Sequence, residues 1–551
     1  MRFVPWRAAV LGALFAAIIT LPGLGNGTLW DNSETVYGEA AREVLLTHDW
    51  VVMHVNGMPW FVQPPLFFWI AALCAKWLGV SALAMRLPAA LATIAMGGAL
   101  GYATARVAGT RAGTVAAIVL STSLMQAIVG RLAIMDALLD LCIVIALLCW
   151  FRAFQPLYRR YNDERHRSTA FLCGTLALAL GTLAKGPVAP VIVVLVIGAW
   201  LVWERRSDAP IAFPSPATLA MAAGLFVLVA APWFVLEAVR VGPGAASELI
   251  GHYTVGRFTG VIENQHGPWW YYIPVVVLGF FPWIAFVPVA AVGVIDTART
   301  RDGALERLAL TWAFVPLVFF SIAQTKLPNY IALMMPALAI VVALWFDRLV
   351  DAADRRAAIV SALTIPVFVG ALGIAIVAFI RNNHLESATA IVAPQVEFLG
   401  AAMLIGSFAT VAAIATHRWN WLAPYVLGAT SGALVLFIAF VGEPAAEALK
   451  PIPPIARAIE AQRKPGSVVA VRGVAGTSSL IFYTEPGVLT LNEDDAGFAK
   501  AICTISDLYV VTRAADVPGL TQLVSARGRN SVELGRLHGV TALHVDGPGC
   551  R

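Results

Sequence analysis

Thirteen stretches of this chain are apolar almost without interruption: residues 8–22, 83–105, 112–130, 134–151, 169–184, 186–203, 216–238, 270–293, 307–323, 328–346, 357–380, 394–415 and 419–440. Most of them reach the roughly 17–25 residues that a helix needs to cross the hydrocarbon of a bilayer. A further run, residues 64–76, is shorter and is bounded by Pro64, Pro65 and Lys76, so it reads as a helix lying in the outer interface. After Phe440 the pattern changes. Residues 455–461 have a helical period, 467–472 and 507–512 read as buried strands, 479–483 as a helical turn or short strand, and 531–535 and 542–545 follow as further short segments. The expected architecture is a polytopic α-helical membrane domain over residues 1–441, with an outer loop at 23–82, and then a small α/β domain over 442–551.

Composition narrows the class. With 59% hydrophobic and only 13% charged residues, the chain cannot be a soluble globule, whose charged fraction is about 25%. The formal net charge of +5 is small, and its distribution sets orientation. With a cytoplasmic N-terminus, the inner loops hold Arg2 and Arg7; Arg106 and Arg111; Arg152, Arg159, Arg160, Arg165 and Arg167; Arg205 and Arg206; Arg299, Arg301 and Arg307; Arg348, Arg355 and Arg356; and Arg418. The outer loops hold only scattered cations. Counting 64–76 as a span would invert every later loop, so the charge pattern supports thirteen spans and an α/β domain outside the cytoplasm. The run after Arg2 and Arg7 reads as an uncleaved first span. Glycine-rich phosphate loops, zinc-ribbon cysteine spacings and nucleic-acid motifs do not occur. Cys503 and Cys550 could pair in an extracytoplasmic domain, whereas the other four cysteines lie in apolar runs.

The remaining charges then fall on one face. Residues 29–44 pack Asp31, Glu34, Glu39, Arg42 and Glu43 between two apolar segments, and read as a loop followed by a helix capped by Asp31, Asn32 or Ser33. This stretch alone fits a solvated, capped surface helix as well as a site. On the same side lie Asp136 at the start of the fourth span, Lys185 at the hinge 184–187, and His252, Arg257, Glu263 and His266 in the loop 239–269. Lys326 lies there too, between the ninth and tenth spans. A single charge at a span end snorkels or caps. Convergence of several on one face favours a site, because intramembrane ionisable groups are costly unless they are used. Aromatic residues crowd the same level, as an interfacial belt does regardless of function. Carboxylates beside Lys, Arg and His suit a substrate that carries both phosphate and hydroxyls, as a lipid-linked phosphosugar does.

The stretch 29–44, the Gln63-Pro64-Pro65 turn, Asp136, the 184–187 segment Ala-Lys-Gly-Pro, His252 to Arg257, Gln265 to Pro274 and Lys326 to Tyr330 resemble, in matching order, the bacterial aminoarabinose transferases of lipid A. Those enzymes are grouped with the protein O-mannosyltransferases among the GT-C membrane glycosyltransferases. The resemblance implies sugar transfer, with inversion, from an undecaprenyl phosphate carrier to lipid A, lipopolysaccharide or a related envelope acceptor. It places the reaction on the periplasmic face of the bacterial inner membrane. It matches Asp136 to an acidic position of the active site, Lys185 and Arg257 to cations that meet phosphate, and Tyr330 to a tyrosine near the carrier phosphate. Glu34 and Asp31 are further catalytic candidates, and Lys326 and Gln63 further candidates for contact with carrier phosphate or substrate. It also implies a divalent metal near His252. Two positions depart from the pattern: Ser33-Glu34-Thr35 replaces Asp-Glu-Thr, and Val62-Gln63-Pro64 replaces Glu-Lys-Pro, removing a metal-binding carboxylate and a phosphate-facing lysine. Protein O-glycosylation is the alternative reaction, and a lipid-carrier transporter or flippase the alternative class. A transporter would place its charges near the midplane at broken helices.

Overall fold

Apolar stretches without water can satisfy their backbone only internally. All thirteen are largely helical in the computed structural model, which describes residues 4–155, 164–242, 244, 247–349, 352–382, 386–416 and 418–547. Arg2, Arg159, Arg160 and Cys550 lie outside the described residues. The chain divides into two compact units. The first comprises Met1–Leu24, Phe61–Phe67 and Arg86–Val441, and the second Gly25–Trp60, Phe68–Met85 and Gly442–Arg551.

Among the described residues nine helices are long and apolar enough to cross a membrane: Ala82–Ala108, Asp136–Phe154, Glu164–Lys185, Val188–Arg206, Pro216–Val241, Ala304–Ile322, Pro328–Arg348, Gln395–Ala415 and Asn420–Glu447. Pro5–Thr20 and Leu66–Leu78 are shorter apolar helices, and Ala352–Asn382 is helical throughout. Two stretches expected to be continuous are broken. Residues 112–130 form Thr110–Thr122 and Leu124–Val129, parted at an extended Ser123. The hydroxyls of Ser121, Thr122 and Ser123 turn back onto carbonyls of the preceding turn, competing with the helix. Ser431 Oγ donates to the buried carbonyl of Thr122 at 2.5 Å, and Trp283 Nε1 to its hydroxyl at 3.0 Å. Residues 270–293 form Tyr272–Gly279 and Trp283–Ala298, bent by 108°, where Pro282 has no N–H to continue the helix.

The first unit packs around fully buried Trp200, Trp283, Trp312, Tyr272 and Phe346. Pro5–Thr20 meets Ala82–Ala108 through glycines: a Cβ on Gly12 would stand 2.5 Å from the Gly97 carbonyl oxygen, and one on Gly97 2.9 Å from that of Gly12. Small residues of this kind let helix backbones touch in a membrane.

In the second unit the hairpin β1 (His54–Val55) and β2 (Met58–Pro59) precedes a five-stranded mixed sheet. The sheet comprises β3 (Val468–Arg472), β4 (Leu489–Leu491), β5 (Leu508–Arg513), β6 (Asn530–Leu537) and β7 (Val540–Asp546), in the order β4-β3-β5-β7-β6. Alternation along β3 and β5 decides the faces. Val469, Val471, Tyr509 and Val511 pack with Ile452, Ile455 and Leu480 of the helices Ile452–Glu460 and Thr477–Tyr483. Ala470, Leu508 and Val510 pack with Phe498, Ile502, Leu520 and Val524 of the helices Asp495–Thr504 and Val517–Ser525. The sequence pattern had left 479–483 open between helix and strand, and missed β4 and these last two helices.

The charged stretch 29–44 belongs to this unit and grips Thr477–Tyr483 at both ends. Asp31 Oδ1 accepts from the N–H of Ser479 at 2.7 Å. Arg42 donates to the carbonyls of Thr484 at 2.8 Å and Ile481 at 3.1 Å. An acid at the first turn and a base at the last match the helix dipole and fill its orphan donors and acceptors. Ser33 is the N-cap position of the helix Glu34–Thr47 but makes no side-chain cap, contrary to expectation. Glu34, fully buried, turns back to accept from the N–H of Trp30 at 2.9 Å.

Candidate active site

Two helix ends and a loop build the site in the first unit. Asp136 opens Asp136–Phe154, where a carboxylate is favoured by the exposed N–H groups. Lys185 closes Glu164–Lys185, where a cation is favoured. Gly186, at a φ of 75°, turns the chain in the left-handed region, and Pro187 precedes the next helix. The two ends bring Lys185 Nζ to 2.6 Å from Asp136 Oδ1, with the two side chains 14% and 5% exposed. Asn329 Nδ2 donates to the same oxygen at 2.8 Å. Lys185 Nζ also stands 5.0 Å from the centre of the Tyr330 ring, a cation–π contact.

Arg257 approaches the tyrosine from the other side. Its Nη1 donates to the Tyr330 hydroxyl at 3.0 Å and its Nη2 lies 3.2 Å from Glu263 Oε2. The loop that carries Arg257 is laced to the segment that carries Tyr330: Thr325 N–H donates to Arg257 O, Gln324 N–H to Phe258 O and Lys326 N–H to Gln265 O, each at 3.0 Å. Asp136, Lys185, Arg257, Tyr330 and Gln63 line one cavity of about 330 Å³, with Leu139, Val188, Phe258 and Phe319 among its apolar walls. The apolar walls suit an isoprenoid tail, and cations in a low-dielectric pocket bind phosphate oxygens strongly. Asp136, fixed by two donors, is placed to orient a sugar or take a proton.

The other expected site residues make other contacts. Lys326 is buried, and its ammonium donates to the carbonyls of Phe320, Ser321 and Ala323 at 3.2, 2.9 and 2.7 Å. These are the orphan acceptors at the end of Ala304–Ile322, so the expected substrate contact gives way to a cap. Burial pushes its pKa down. Asp31 and Glu34 belong to the second unit and hold the backbone contacts described above. His252 is exposed on the wide helical segment Ser247–Gly256, its ring against Tyr253. Among the described residues no group of three His, Cys, Asp or Glu side chains could hold a metal ion. His252 alone does not fit the implied metal.

Two polar residues at or beside the site do not stand out in the sequence. Asn329 is one, and its only signal was its place in the Lys326–Tyr330 motif. The other is Asp140, one turn beyond Asp136 and 2% exposed, whose signal is the i, i+4 spacing of two acids in an apolar run.

Comparison with known proteins follows the same lines. A family model described as dolichyl-phosphate-mannose-protein mannosyltransferase matches residues 62–235. The undecaprenyl phosphate-alpha-4-amino-4-deoxy-L-arabinose arabinosyl transferase of Edwardsiella ictaluri (strain 93-146) is 30% identical over 351 residues, 62% of this chain and 59% of that protein. The protein of the same name from Yersinia enterocolitica is 27% identical over 458 residues, 80% of this chain and 77% of the relative. The match to the Edwardsiella protein thus spans less than two thirds of its length. The crystal structure of ArnT from Cupriavidus metallidurans bound to undecaprenyl phosphate superposes with a TM-score of 0.80 at 21% identity, covering 97% of each chain. Its apo form gives 0.79. The relatives found are of the kind the motifs resemble, and the fold is of the expected class, a polytopic helical domain with a small C-terminal sheet domain.

Proposed function

We propose that this chain is a glycosyltransferase that moves 4-amino-4-deoxy-L-arabinose, or a closely related sugar, from undecaprenyl phosphate to lipid A or a related envelope acceptor. The bond from the anomeric carbon to the carrier phosphate breaks as a bond to the acceptor oxygen forms on the opposite face, so the configuration inverts. The observation that carries the reading is the sequence of contacts Arg257–Tyr330–Lys185–Asp136 along one apolar cavity. In it Arg257 and Lys185 neutralise the phosphate that leaves with the carrier. Lys185 exchanges its contact with Asp136 for the phosphate, which frees the carboxylate for the acceptor. A hydroxyl acceptor passes its proton to Asp136, whereas a phosphate acceptor is already an anion and uses the carboxylate only to orient the sugar. The enzyme works in the bacterial inner membrane, with the cavity and the second unit on the periplasmic side, as the arginine distribution supports.

The test is mass spectrometry of lipid A, core oligosaccharide and envelope proteins from cells with and without the gene, and with Asp136→Asn. Loss of one defined sugar mass in both the deletion and the variant is the expected result. Unchanged fractions under conditions of expression overturn it. Loss from envelope proteins alone would favour the second reading, a protein acceptor, to which the mannosyltransferase family match points.

A further inference from the structure

A second cavity, of about 700 Å³, lies at the far end of a helix that the first cavity also uses. Val188 and Val191 of Val188–Arg206 line the candidate active site, whereas Val202 and Arg206 line this one. Nineteen helical residues separate the ends by about 28 Å, a bilayer's hydrocarbon thickness. Val202 and Phe314 on its wall are 52% and 65% exposed, an apolar surface open on the side where lipid chains run. At its mouth stand Arg206 and Arg299, with Ser207 and Thr311 supplying hydroxyls.

A buried ion pair holds the backbone that carries the two cations. Arg307 and Glu204, both fully buried, meet at 2.9 and 3.1 Å. Arg307 also donates to the carbonyls of Ala298 at 2.8 Å and Arg301 at 3.1 Å. Glu204 is two residues from Arg206, and the two carbonyls bracket Arg299. The ion pair thus fixes both arms of the mouth, for which its desolvation is the cost. Among the described residues Arg299 has one ion-pair partner, the exposed Asp296 at 3.8 Å.

We infer that this cavity binds an anionic phospholipid, its phosphate between Arg206 and Arg299 and an acyl chain along Val202 and Phe314. Paired cations at the headgroup level above an apolar cleft between helices match a phosphodiester with a net negative charge and not a zwitterion. The site is independent of sugar transfer and stands or falls separately from it.

Native mass spectrometry of the detergent-purified full chain, incubated with equal phosphatidylglycerol and phosphatidylethanolamine, tests it. Wild type retains phosphatidylglycerol in preference, and Arg206→Ala/Arg299→Ala weakens that retention at least about tenfold. Arg205→Ala, one residue away and outside the cavity, leaves it unchanged. Equal retention of both lipids by wild type, or undiminished phosphatidylglycerol on the double variant, overturns the inference. Should the double variant unfold at lower temperature than wild type, Ala199→Phe decides, because it fills the cavity from an exposed wall position and keeps both arginines. Loss of the lipid then supports the site, and retention overturns it.

Discussion

At the scale of single residues, what separates the site from its surroundings is how each charge is partnered. Asp136 and Lys185 are legible because a charge at the end of an apolar run needs a reason, whereas Arg257, inside the loop 239–269, is legible through the motif His252 to Arg257. Lys326, Asp31 and Glu34 carried an equally strong signal, yet their polar groups contact backbone, with Ser479 lying 448 positions from Asp31. Sequence displays a charge but not its partner. Asn329 is the converse, a neutral residue without a signal of its own that fixes the carboxylate. Asn329→Ala is therefore expected to lower kcat by about a hundredfold, as small misplacements at a reacting centre do, with KM for the carrier little changed. Comparable rises in KM would instead make Asn329 a binding residue. Glu39 supports a pH prediction. Burial pushes its pKa from 4.5 up to about 7, against the pull of Arg42 and with the push of Glu43. Since the folded value lies above the unfolded one, the stability it contributes is complete below pH 4.5 and is lost as pH rises through about 7. That amounts to about 3 kcal/mol. Thermal unfolding across pH 4.5–8 should show this slope in wild type and lose it in Glu39→Gln.

At the scale of elements, period and length predicted helices well, and the failures have local causes. The interruption at Ser123 follows from three successive hydroxyl residues, and the bend of 108° from Pro282. Both were visible as residues, but a hydropathy window averages over them. In the second unit, Asp495–Thr504 and Val517–Ser525 are short helices whose apolar residues are too few to stand out before the sheet face they cover is known. Helix packing gives a prediction here. Gly12 and Gly97 approach through their backbones, so Gly97→Leu must part Pro5–Thr20 from Ala82–Ala108, at about 1–3 kcal/mol or more. The unfolding midpoint in detergent should fall, and Gly198→Leu, where a Cβ would meet nothing within 4 Å, should leave it in place. Capping gives another. As a cap on Thr477–Tyr483, Asp31 should be replaceable by Asn, which keeps the acceptor oxygen, whereas Asp31→Ala should cost about 1 kcal/mol. Loss of sugar transfer in Asp31→Asn with unchanged stability would return Asp31 to the chemistry.

For the whole molecule the strongest inference is a count. Each apolar stretch was expected to cross the membrane once, and an odd number of crossings puts the ends of the helical region on opposite sides. Breaks at Ser123 and Pro282 do not alter that parity as long as each broken stretch still crosses. Nor does Leu66–Leu78, which at 13 residues is about 20 Å long and too short to cross. The charges offer an independent check: Arg206, Arg299 and Arg307 cluster at one end of the first unit, about a bilayer's hydrocarbon thickness from Asp136 and Lys185. Alkaline phosphatase folds only outside the cytoplasm, so it reads the parity directly. A fusion at Asp208, after the arginine-bearing end of Val188–Arg206, should be inactive, and one after residue 547 active. Two active fusions, or two inactive ones, would mean an even number of crossings between those points. The miscounted stretch would then have to be sought among the bent pair Tyr272–Gly279 and Trp283–Ala298, Ala352–Asn382 and Asn420–Glu447, the helical segments between them with the least regular geometry or sequence. An active fusion at Asp208 with an inactive one after residue 547 would keep the count but turn the protein over, placing the Asp136 cavity on the cytoplasmic face, where a periplasmic acceptor could not reach it.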